Sequence, residues 1–154
     1  YLFDTFEGMT EPTAFDRKAY GKLDALEKFR KLQKDNYNEW CYASLEDVKN
    51  SFSKYNLLSH AEFIKGDVKN TLKKINNIPQ KISLLRLDTD WYESTKIELE
   101  VLYPLLQSKG ILLIDDYGSW EGARKAVDEY MNNLDLNKKP MQWVLDSSGR
   151  GYIK

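Results

Sequence analysis

Four apolar runs in this chain stop at acidic side chains. Tyr1-Leu2-Phe3 ends at Asp4, and the run from Ala61 to Ile64 closes at Gly66-Asp67. Ile82-Ser83-Leu84-Leu85-Arg86-Leu87 ends at Asp88, and Ile111-Leu112-Leu113-Ile114, the most apolar of the four, ends at Asp115-Asp116. Between the runs lie stretches whose apolar side chains recur at helical spacing. Short apolar strands alternating with amphipathic helices predict an α/β fold with a largely parallel sheet covered on both faces.

The helical stretches can be placed. Residues from about Asp16 to Lys34 carry Leu23, Leu26, Phe29 and Leu32 on one side, with Gly21 as an interruption. Ser44-Leu45-Glu46-Asp47 has the form of an N-cap with an acid three residues on, opening a helix that turns Leu45, Val48, Phe52 and Tyr55 inward. A short helix is expected from Thr71 to Ile75, and a long one from Glu93 to Gln107 with Leu99, Leu102 and Leu106 on one face. Pro104 should tighten the last turn of that helix and Gly110 should cap it. A further helix runs from Glu121 to Met131. Gln142 to Leu145 and Gly151 to Ile153 then form a closing antiparallel pair around Asp146-Ser147-Ser148-Gly149.

Composition narrows the class. The 154 residues suffice for one domain with a core, and the 42% hydrophobic and 31% charged content is that of a globular protein. A formal net charge of -1 offers no footprint for nucleic acid or an anionic membrane. No apolar run approaches the roughly 18 residues that span a bilayer, and no signal peptide is visible. The lone Cys41 excludes an internal disulfide and fits a reducing, cytoplasmic setting. Homo-oligomers are compatible with all of this. The chain starts inside a predicted strand, so the natural protein is expected to be longer.

In an open parallel sheet, ligands bind beyond the carboxyl ends of the strands, where these acids lie. Asp88 and Asp115 are 27 residues apart, the span of one strand–helix–strand return. Asp88 and the Asp115-Asp116 pair should therefore meet at one edge of the cleft. Carboxylates so placed repel unless neutralised, and a hard divalent cation with oxygen ligands is the simplest neutraliser. The competing reading is that each acid caps the helix after it. Asp90 lies two residues past Asp88, leaves the strand, and is not expected as a primary ligand. His60 is expected at an exposed turn, and Cys41 as a half-buried filler rather than a nucleophile. Trp91, Tyr92, Tyr117 and Trp120 flank the acids, either as core or as a rim for a flat ring or sugar face.

Three segments together identify a resemblance. They are Leu87-Asp88-Thr89-Asp90-Trp91-Tyr92-Glu93-Ser94-Thr95, Leu102-Tyr103-Pro104, and Gly110-Ile111-Leu112-Leu113-Ile114-Asp115-Asp116-Tyr117-Gly118. In this order, and with Asp4-Thr5-Phe6-Glu7-Gly8, Arg124-Lys125-Ala126-Val127-Asp128 and Gly151-Tyr152-Ile153, they resemble the macrocin O-methyltransferase family. The resemblance implies a Rossmann-like class I methyltransferase fold, with residues 1–154 as the C-terminal part of one methyltransferase domain. It implies S-adenosylmethionine and Mg²⁺ as cofactors and a hydroxyl of a sugar or glycosylated small molecule as acceptor. Asp88, Asp115 and Asp116 would hold the metal, and Asp88 would also take the hydroxyl proton. Asp4 and Thr5 would lie at the cofactor ribose, and Asp67 and Val68 beside the adenine. The first strand and glycine-rich loop of the family are expected before Tyr1, which leaves Tyr1–Phe3 and Ile82–Leu87 to pair on one side each. A metal-dependent glycosyltransferase using Asp88-Thr89-Asp90, and a truncated non-catalytic methyltransferase-like domain, are the alternatives.

Overall fold

The computed structural model, which describes residues 1–74, 76 and 78–154, turns the apolar runs into strands and most of the amphipathic stretches into helices. It divides into two compact units. Tyr1–Glu11 with Leu26–Asn77 form the first, and Pro12–Ala25 with Ile78–Lys154 form the second.

In the first unit, β1 (Leu2–Asp4) runs parallel to β2 (Phe63–Lys65), with Leu2 beside Phe63 and Asp4 beside Lys65. Among the described residues β1 pairs along this one edge. Helix α2 (Leu45–Lys54) starts as the sequence indicates, with the Ser44 side chain accepting from the Asp47 N–H. Phe52 of α2 meets Phe63 of β2 edge-on, ring centres 5.2 Å apart. Tyr55, expected inward, is instead 75% exposed, because the helix stops one residue before it. Helix α3 (Val68–Thr71) begins earlier than expected, since the Asp67 side chain caps it through the Lys69 N–H. The expected Thr71–Ile75 helix extends to Ile75, which lies outside the described residues.

The helix anticipated over residues 16–34 is confined to α1 (Ala25–Leu32). Two features break its first half. Gly21 takes φ +92°, and Asp16, only 2% exposed, is held by other partners. One Asp16 oxygen accepts from the N–H and hydroxyl of Thr13, and the other from the Tyr92 N–H at 2.7 Å. Residues 12–25 thus form a strap within the second unit. Lys18 bridges Trp120, the Ala19 N–H bonds Ser119 O, and the Glu121 N–H bonds Arg17 O.

The second unit holds a four-stranded sheet of β3 (Ile82–Leu87), β4 (Leu106–Ile114), β5 (Met141–Val144) and β6 (Arg150–Ile153), ordered β3-β4-β6-β5. β3 and β4 are parallel, and β6 is antiparallel to both β4 and β5, so β6 alone runs against the others. β3 pairs only with β4 among the described residues. The architecture is α/β with parallel pairs and a closing antiparallel hairpin. Helices α4 (Tyr92–Leu102) and α5 (Glu121–Asn132) pack on each other. Alternation along the strands buries Leu85, Leu87, Leu112, Ile114 and Tyr152 on one face and leaves Leu84 and Ile111 exposed on the other. Leu99 and Val127 of the two helices are fully buried, and burying such a side chain is worth about 1.5–3 kcal/mol.

The long helix predicted to reach Gln107 ends at Leu102. Pro104 does tighten its end, into a 3₁₀ turn over Tyr103–Leu105, and β4 starts directly at Leu106. Gly110 therefore caps no helix. It lies in a bulged part of β4, where the pairing with β3 slips between Ile82 and Leu84 and Lys109 adopts φ +65°. A Cβ at Gly110 would sit 2.7 Å from Gln107 O. Among the described residues no helix is long and apolar enough to cross a membrane.

Candidate functional site

β3 and β4 carry their acids to adjacent tips. Leu87 lies beside Ile114, and the Asp115 N–H continues the ladder by bonding Leu87 O at 3.0 Å. Asp88 follows β3, and Asp115-Asp116 follow β4. The turn between β5 and β6 braces this loop. Asp146 accepts from the Ser148 and Gly149 N–H groups, the Gly118 N–H bonds Ser148 O, and the Ser148 hydroxyl donates to Asp115 O.

Asp88, Asp90 and Asp116 each present an oxygen within 4.8 Å of the others. Asp115 points to a different partner. The Arg86 guanidinium spans Asp88 Oδ2 at 2.7 Å and Asp115 Oδ1 at 2.8 Å, so Asp115 joins the group through Arg86 and Asp88. Asp90 reaches the trio because the chain doubles back. The Trp91 N–H bonds Thr89 O at 2.7 Å, and Asp90 between them takes φ +64°. This γ-turn geometry is rare and strained for a non-glycine residue. Around it, the Thr89 hydroxyl donates to the buried Glu98, and the Ser94 hydroxyl donates to Thr89 O and Trp91 O.

The charges are unbalanced. Burial raises the Asp88 carboxyl to about 6, against the pull of Arg86 and with added repulsion from Asp115 and Asp116. Burial raises Asp90 to about 9, helped by its hydrogen bond to Asp116 and by repulsion from Asp116 and Asp88, and opposed by Lys18. Four carboxyl groups, if all ionised, face two cations, Arg86 and Lys18, a deficit of two positive charges that the raised Asp90 lessens by keeping its proton. A hard divalent ion with oxygen ligands fits that deficit and that donor set.

The aromatics beside the acids are mainly structural. Trp91 and Trp120 are buried and meet edge-on at 4.9 Å, and Lys18 lies over the Trp120 ring. Sequence reasoning singled out Asp88, Asp115 and Asp116 but passed over Arg86, and it set Asp90 aside. The Asp-x-Asp spacing was the available signal for Asp90. For Arg86 the signal was a charged residue in an otherwise apolar strand, two residues before the acid.

The tips of β1 and β2 form a second, separate feature in the first unit. Asp4 Oδ1 accepts from the Phe6 N–H at 2.5 Å, and the Thr5 hydroxyl donates to Gly8 O. Asp67 is the cap of α3, and Val68 is buried. An exposed strand-tip acid with one oxygen engaged is suited to accept from a vicinal diol such as a ribose.

Comparison with known proteins places these features in context. The chain is 34% identical over 138 residues to the 8-demethyl-8-(2,3-dimethoxy-alpha-L-rhamnosyl)-tetracenomycin-C 4'-O-methyltransferase of Streptomyces olivaceus, a match covering 89% of this chain and 48% of that protein. It is 34% identical over 108 residues to the demethyldecarbamoylnovobiocin O-methyltransferase of Streptomyces niveus, covering 70% of this chain and 40% of that protein. The solved O-methyltransferase NovP superposes with a TM-score of 0.73 at 28% identity, over 99% of this chain and 58% of that one. The chain thus spans about half the length of the relatives it matches. The family model described as macrocin-O-methyltransferase (TylF) matches residues 1–152, and the chain belongs to that family.

Proposed function

We propose that this chain forms part of a single S-adenosylmethionine-dependent methyltransferase domain that methylates a hydroxyl of a sugar or glycosylated small molecule, in the cytoplasm. The observation that carries the reading is the gathering of acids at the tips of β3 and β4, in a chain whose family and named relatives are O-methyltransferases. Asp4, Thr5, Asp67 and Val68 are assigned to the cofactor, which supplies a methyl group already activated on a sulfonium. Asp88, Asp115 and Asp116 are assigned to Mg²⁺, which would supply Lewis-acid polarisation of the acceptor oxygen. Asp90 lies close enough to Asp88 and Asp116 to replace Asp115 in that set.

The remaining work falls to the side chains. A sugar hydroxyl is a poor nucleophile near neutral pH, and Asp88, raised to about 6, can accept its proton as the oxygen attacks. The buried tryptophans and the strap fix the loops that carry the acids, so the acceptor oxygen can be held in one place. No covalent intermediate is needed. The test is calorimetric titration of the full-length protein with S-adenosylhomocysteine and, separately, with a nucleoside diphosphate. Binding of the first supports the reading. Binding of the second alone would favour glycosyl transfer through Asp88-Thr89-Asp90, and binding of neither would favour a non-catalytic domain.

A further inference from the structure

We propose that Arg86 is the resident counter-cation of the acid cluster, holding Asp88 and Asp115 in place when no divalent ion is bound and competing with that ion for their charge. The proposal rests on the cation-site reading above.

The placement follows from strand geometry. Side chains two residues apart on a strand share a face. Arg86 and Asp88 are so related along β3. Arg86 lies beside Leu113 of β4, and Asp115 is two residues beyond Leu113. One guanidinium on the open face of the sheet is therefore flanked by one acid from each strand. Its two arms go to different carboxylates, Nη1 to Asp88 and Nη2 to Asp115, at 2.7 and 2.8 Å. The rigid planar fork suits this bridging, whereas a lysine ammonium would be a single mobile point charge. An ordinary exposed ion pair contributes little. This one is shared by two adjacent acids that repel each other.

Arg86 contacts one oxygen of each acid, while Asp88, Asp90 and Asp116 still present oxygens within 4.8 Å of one another. It does not block the site. It does set a unit positive charge beside the place where a dication would bind. Arg86 is 54% exposed, so water screens much of that repulsion. At a separation of about 6 Å in a water-like dielectric, a single charge alters the affinity for a dication by about tenfold.

The experiment compares the wild-type full-length protein with Arg86→Gln and Arg86→Lys. Free Mn²⁺ is followed by electron paramagnetic resonance, and melting is recorded in chelator and in saturating Mg²⁺. Arg86→Gln is expected to bind Mn²⁺ about tenfold more tightly. It should also melt several degrees lower in chelator and recover most of that loss in Mg²⁺. Arg86→Lys should keep the wild-type Mn²⁺ affinity to within about twofold, because the charge remains. Equal or weaker Mn²⁺ binding by Arg86→Gln, or an unchanged melting temperature in chelator, overturns the role of Arg86 and leaves the cation site standing. Absence of Mn²⁺ binding by the wild type overturns both.

Discussion

Asp90 lies beyond the end of β3, where strand alternation no longer sets its direction, and φ +64° with the Trp91–Thr89 bond turns it toward Asp88 and Asp116. Residue spacing shows which acids sit at strand tips, and Asp88, Asp115 and Asp116 are legible as such. It does not show a reversal of the backbone, nor that Arg86 would claim Asp115. Two predictions belong at this scale. In the full-length enzyme, Asp88→Asn should lower methyl transfer by about 10²–10⁴-fold with little change in melting temperature, and Asp90→Asn should lower it less. Equal losses would assign the proton to the wrong acid. The second concerns pH. Asp88 and Asp90 hold their protons up to about 6 and about 9, whereas an ordinary aspartate releases its proton near 3.8. As pH rises above 4 the unfolded chain loses these protons first, so the metal-free folded state loses stability progressively up to about pH 9. Melting in chelator from pH 4 to 9 should show Asp90→Asn gaining on the wild type as pH rises. Parallel curves for the two proteins would contradict the assignment.

At the scale of elements, β3 and the hairpin were readable because apolar alternation and turn residues agreed there. The helix predicted to end at Gln107 overshot because Leu102 and Leu106 are spaced four apart, as on a helix face. Leu106 is buried instead as the first residue of β4. The Asp16–Lys34 prediction failed because periodicity does not reveal that Asp16 would bond an amide far along the chain. That bond reverses a common expectation for glycine. Gly122 lies in α5, where alanine is normally favoured over glycine by about 1 kcal/mol. A Cβ there would fall 2.1 Å from Asp16 Oδ1 and 3.0 Å from the Tyr92 nitrogen. Parting a buried carboxylate from its donor costs roughly 1–3 kcal/mol, beyond any clash. The lost bond then costs about 0–2 kcal/mol once the helix gain is subtracted, and the clash adds to it, so Gly122→Ala should destabilise the protein. Urea unfolding measures this, and a stabilised variant would show that the strap gives way freely.

For the whole molecule, the sequence indicates how many elements there are and in what order, but not which of them cluster. The chain passes from one unit to the other after Glu11, Ala25 and Asn77. No composition shift marks these points, because strap and helices are equally mixed in charge and apolar content. Amide hydrogen exchange on the full-length protein can test the division. Asp16→Ala should speed exchange at Tyr92, Ala19 and Glu121, whose amides are held by the strap or its partners. The β1–β2 amides should be unaffected, and acceleration there as well would mean that the two units open together.

The strap also bears on how the protein is made. Asp16 and Lys18 leave the ribosome while Tyr92 and Trp120, their partners, are still unmade. β6, which separates β4 from β5, emerges after both of them. The second unit therefore cannot be completed in the order of translation. Its earliest-made segment must wait for Tyr92 and Trp120 before its bonds can form, and the sheet gains its middle strand only after both have been made.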